Sequence, residues 1–157
     1  MKNKNRLMSL ILSAVLLIPM LPVTARAADA EFTVEGGTEN NDYTLSSNTL
    51  TIKTSEPLTI SGGTADNPIT GQIVIQSNTS ANLTLNGVNL KGVDVSTGTT
   101  TAQSAVKLSN GSTLTLILAQ GSKNTLAGGA GAGSTGAPAI NVLGGGDNAN
   151  RSVWKWN

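Results

Sequence analysis

The 157 residues include no His and no Cys, so any chemistry must come from carboxylates, amides, hydroxyls, lysine and arginine. That excludes thiolate and imidazole metal sites, Cys–His and Ser–His–Asp nucleophiles, and histidine acid–base catalysis. The acids are Asp29, Glu31, Glu35, Glu39, Asp42, Glu56, Asp66, Asp94 and Asp147. Glycoside hydrolysis needs two carboxylates flanking the scissile bond, and no Asp-Asp or Asp-x-Asp cluster occurs. Asp94, between Val93 and Val95, reads as an outward residue of a strand, while Asp66 and Asp147 sit among turn residues. Calcium, a hard cation that takes oxygen ligands, is compatible with this residue set.

Lys53, Lys91, Lys107 and Lys123 form a series of basic residues along the repeat set out below, with Lys91 and Lys123 flanking equivalent turns. Such a ladder suits an anionic polysaccharide, and it suits a solvated surface equally well. Lys91, Asp94, Lys107 and Lys123 are the candidate ligand-binding residues; no residue qualifies as catalytic. Platforms for stacking neutral sugars are scarce, since Phe32 and Tyr43 are the only aromatics before Trp154. Residues 131–136 spell G-x-G-x-x-G, but Pro138 and an apolar-polar-apolar triplet follow instead of a helix, so the stretch reads as a loop. The Asn-x-Ser/Thr sequons at Asn78, Asn82 and Asn110 are what chance supplies in a chain this rich in Asn and Thr.

Residues 1–27 stand apart from these elements. A basic "MKNKNR", an apolar "LMSLILSAVLLIPMLPV" and small residues around Ala25 and Ala27 form the pattern of a secretory signal peptide. Pro19 and Pro22 interrupt the run of about 20 apolar residues that a membrane span requires. Of ten Lys and Arg, four (Lys2, Lys4, Arg6, Arg26) leave with that leader. Six basic residues then face nine acidic ones, a net charge of −3. Such a balance gives no support for nucleic-acid binding, which needs clustered basic residues. The expected location is outside the cell, with no membrane partner once the leader is removed.

The elements that must position these residues are short. Nine triplets carry the apolar pattern: Leu50-Thr51-Ile52, Leu58-Thr59-Ile60, Ile73-Val74-Ile75, Leu83-Thr84-Leu85, Val88-Asn89-Leu90, Val93-Asp94-Val95, Val106-Lys107-Leu108, Leu114-Thr115-Leu116 and Ile140-Asn141-Val142. Alternation at period two is the strand signature. Turn formers such as Asn86-Gly87 and Asn110-Gly111 separate them. The class is all-β.

Spacing adds a repeat. Leu50 to Leu83 and Ile73 to Val106 are both 33 residues, Leu83 to Leu114 is 31, and Val106 to Ile140 is 34. A step of this size predicts a solenoid, a parallel β-helix in which coils hide their apolar side by stacking. An antiparallel β-sandwich is the alternative architecture, because Asn-Gly turns serve it as well. Residues 28–146 would form an incomplete β-helix domain of about three coils. Residues 147–157 read as an atypical C-terminal tail, with both tryptophans and no further triplet, as expected of a truncated or frameshifted reading frame or, alternatively, of a short C-terminal cap.

The stretch "ITGQIVIQSNTSANLTLNGVNLKG…SAVKLSNGSTLTLILAQGSKNTLAGG", residues 69–129, resembles the carbohydrate-binding β-helix domain of secreted bacterial surface proteins. Asn86-Gly87-Val88 and Gly121-Ser122-Lys123-Asn124-Thr125-Leu126 are its most specific pieces. The resemblance implies a right-handed parallel β-helix related to pectate lyases. It implies binding of pectin-like acidic or cell-wall polysaccharide, in some members with calcium, and no lyase activity. The expectation is a secreted, non-catalytic binding module. A structural or adhesive spacer of the cell surface ranks next, and a polysaccharide lyase or hydrolase last.

Overall fold

In a computed structural model the chain is described over residues 31–95, 101–132 and 136–143, and over the backbone of Ser152–Trp156. The leader expected at residues 1–27 lies outside those residues, as does Asp147. The described residues are all-β with no helix, as the alternation predicts. Twelve strands occur: β1 (Thr33–Glu35), β2 (Tyr43–Ser46), β3 (Thr49–Ile52), β4 (Pro57–Gly62), β5 (Ile69–Thr70), β6 (Gln72–Ile75), β7 (Ser80–Lys91), β8 (Val106–Leu108), β9 (Thr113–Leu118), β10 (Thr125–Ala127), β11 (Ile140–Val142) and β12 (Ser152–Trp156).

They form two mixed sheets. One runs β1-β4-β7-β9-β12, with β5 and β10 flanking the distal half of β7; the other runs β11-β8-β6-β3-β2. Antiparallel pairing is confined to β1 with β4 and β2 with β3. Every other ladder is parallel. The β2–β3 hairpin turns through Ser47 and Asn48, both at positive φ (47° and 61°), the backbone of a tight two-residue turn.

The register partly corrects the expected spacing. Ile73 lies beside Val106, and Val106 beside Ile140, as the repeat predicts. Leu83, however, aligns with Leu58 and Leu116, and Leu114 with Ala81. Leu50 aligns with Ile73, in the other sheet from Leu83. The connection between neighbouring strands is shorter in the first part of the chain, so a constant step of 33 misassigns Leu50.

Both sheets send their alternate residues into a single core. It holds Leu50, Ile52, Ile73, Ile75, Val106 and Leu108 from one sheet, and Leu58, Ile60, Leu83, Leu85, Leu114 and Leu116 from the other. Each such side chain contributes about 1.5–3 kcal/mol through burial. Phe32 is buried in the same cluster, and Tyr43 packs against it half-exposed. The core's main polar insertion is Gln72, whose Nε2 donates to the Ser104 carbonyl (2.7 Å) and to Ser104 Oγ (3.2 Å).

Three expectations change at the level of elements. Val93-Asp94-Val95 is not a strand but the start of a loop. Asn86-Gly87 makes no hairpin. It bends the continuous strand β7 at Gly87 (φ +80°), so that residues 80–85 pair with β9 and residues 89–91 with β10. In the expected tail, Ser152–Trp156 forms a strand parallel to β9, with Trp154 opposite Leu116.

Candidate functional site

Two long connections leave the fold at one place. One follows β7 and leads to β8; the other follows β10 and leads to β11. Strands β5, β7 and β10 align Thr70, Lys91 and Ala127, and each is followed directly by glycine: Gly71, Gly92 and Gly128. A Cβ at these glycines would strike a backbone carbonyl, that of Asn48, Gln103 and Ala137 respectively. Glycine is required there because the backbone passes too close for any side chain.

Hydrogen bonds lock the two loops together. The Gly129 amide donates to the Gln103 carbonyl (2.8 Å) and the Val95 amide to that of Ala130 (2.8 Å), while within the first loop the Gln103 amide donates to Val93 (3.0 Å). Asp94 adds a side-chain tie. Its Oδ1 accepts from the Ala130 amide at 2.6 Å, and its Oδ2 from Lys91 Nζ at 2.6 Å. The Lys91 hydrogen bond, then that from Ala130, holds the Asp94 carboxyl below the usual aspartate range. With 41% and 46% of the two side chains exposed, the pair sits in water and orients the loops more than it stabilises the fold.

The four candidate residues therefore do not converge. Lys91 and Asp94 meet at the base of the paired loops. Lys107 lies half-exposed on β8, in register between Val74 and Asn141 on the other sheet. Lys123 is exposed in the turn between β9 and β10. The register neighbours of Lys91 are Thr70 and Ala127, so no lysine ladder forms. Among the described residues no three of Asp, Glu, His or Cys come together in a metal-binding group. Asp42 is occupied in a turn, where its Oδ2 accepts from the Thr38 amide at 2.7 Å.

Sequence reasoning missed Asn124 as a structural residue. Its Oδ1 accepts from the amides of Gly87 (2.9 Å) and Val88 (2.8 Å) on the neighbouring strand. Its Nδ2 donates to Ser122 Oγ (2.7 Å), which itself donates to the Ala119 carbonyl (2.7 Å). The two most specific pieces of the resemblance, Asn86-Gly87-Val88 and Gly121–Leu126, are thus joined to each other. An Asn one repeat downstream of a bent strand was the available signal.

The buried polar residues among those described are Gln72, Thr79, Ser104 and Ser112, none of them ionisable. The described chain therefore offers no desolvated acid or base, only a hydrogen-bonded loop pair with one ion pair at its base. No protein-family model, curated protein or solved structure matches the chain.

Proposed function

We propose that the protein is a secreted, non-catalytic carbohydrate-binding module built as a right-handed parallel β-helix. Its ligand is an acidic, pectin-like or other cell-wall polysaccharide. Parallel ladders that join strands 21 to 38 residues apart around one core support the solenoid. The handedness and the ligand class rest on the resemblance over residues 69–129. The observation that carries a binding role is the pair of long loops at one corner, fastened by Asp94 with Lys91 beside it. Loops held by a rigid scaffold are where binding residues concentrate. The non-catalytic role rests on the same resemblance, which implies binding without lyase activity.

Retention of the mature protein on insoluble polygalacturonate, peptidoglycan and chitin, with and without calcium, tests the reading. It predicts retention on at least one matrix, weakened by Lys91→Ala. No retention on any of them, under either condition, would overturn it. The second reading is a cell-surface spacer that binds no sugar. It is favoured by the burial of Phe32 in the core, which removes that ring as a stacking platform.

A further inference from the structure

The chain holds two Asn-Gly steps, Asn86-Gly87 and Asn110-Gly111, and their surroundings differ. Both asparagines are exposed, and both glycines have positive φ (+80° and +70°). The Gly87 amide is occupied, donating to Asn124 Oδ1 at 2.9 Å, with the Val88 amide held by the same oxygen. No hydrogen bond engages the Gly111 amide among the described residues, and Asn110 takes part through its carbonyl, which accepts from the Asn78 amide.

We propose that Asn110 is a site of spontaneous modification, converting to aspartate and isoaspartate, and that Asn124 protects Asn86 from the same reaction. The reacting atom is the backbone nitrogen of the glycine, and glycine presents no side chain to hinder its approach. At Asn110 the Gly111 nitrogen gives up its proton to solvent base and attacks Cγ. The N–Cγ bond forms, the Cγ–Nδ2 bond breaks, and Nδ2 leaves as ammonia after gaining a proton. Water then opens the resulting succinimide at either carbonyl. Attack at Cγ restores the α-linked chain with an aspartate; attack at the main-chain carbonyl routes the chain through the side chain as isoaspartate. The net change consumes one water, releases one ammonia and transfers no electrons.

The consequence is local. Asn110 lies in the turn from β8 to β9, stacked on the turn at Asn78, and the next buried residue is Ser112, whose Oγ donates to the Ser109 carbonyl at 2.6 Å. A charge and an added backbone methylene at Asn110 enter a turn that two strands depend on. At Gly87 the hydrogen bond to Asn124 must open before the nitrogen can attack, which slows the step by about tenfold.

The experiment is incubation of the purified mature protein at mildly alkaline pH, followed by peptide mapping and isoaspartate detection. Asn110 should convert about ten times faster than Asn86. In denaturant, where Asn124 no longer reaches Gly87, the two rates should converge. In folded Asn124→Ala, Asn86 should accelerate toward Asn110; if that variant does not fold, the comparison of native and denatured wild-type protein decides alone. Equal native rates, a faster Asn86, or no native conversion at Asn110 while the denatured chain converts there would each overturn the proposal.

Discussion

Asn124 ties two strands together through one oxygen, and its loss leaves two amide donors without their acceptor. Asn124→Ala should cost about 1–3 kcal/mol of unfolding free energy by denaturant titration. Asn124→Asp keeps the acceptor oxygen and should cost less; equal loss in both variants would contradict the role given to Oδ1. Asp94 acts differently, because its partners are exposed. Asp94→Asn should leave the melting temperature nearly unchanged while amide exchange at Ala130 quickens. The pH dependence has a definite sign. The carboxyl is held below its usual range in the folded protein, so the tie is complete above the ordinary aspartate pKa. It is lost as pH falls through the lowered folded value. The Ala130 amide shift, followed by NMR, should therefore titrate below the usual aspartate range, and a midpoint at or above that range would contradict the contact.

Among the elements, the glycines divide by cause. At Gly92 a methyl group would run into the Gln103 carbonyl, whereas at Gly121 (φ +74°) nothing lies within 4 Å of the added carbon. Gly92→Ala should cost about 3 kcal/mol or more, since backbone must move. Gly121→Ala should cost about 1 kcal/mol, from left-handed backbone alone. Comparable losses at the two positions would refute this division. The elements were the most legible part of the sequence, because a buried apolar residue on each side of a polar one leaves little but a strand. Val93-Asp94-Val95 broke that rule. Both oxygens of Asp94 are engaged, by the Ala130 amide of the neighbouring loop and by Lys91 Nζ. The short strands β5 and β10 carried too little pattern to be read, as they gain their partners from β7, not from their own alternation.

For the molecule as a whole, the sequence disclosed that strands recur but not which strand meets which. Lengthening a loop costs little in closure entropy, so successive connections need not be equal. Leu50 pairs with Ile73 after 23 residues, while Leu83 pairs with Leu116 after 33, and a fixed period cannot register both. The candidate site was legible in part. Lys91 and Asp94 meet, but Lys107 and Lys123 lie elsewhere because successive steps of 16 residues are about half a repeat and carry each lysine to a different element. Parallel ladders between distant strands around one core are the foundation on which the binding proposal stands. Since the chain has no cysteine, paired thiols can be introduced without background. Thr84 and Ile117 are in register and half-exposed beside the buried Leu83, Leu85 and Leu116, so both face outward from one sheet. Thr84→Cys with Ile117→Cys, labelled with pyrene, should give strong excimer emission, and Thr84→Cys with Lys107→Cys, on different sheets, should give none. Excimer emission from the second pair and not the first would contradict the layering.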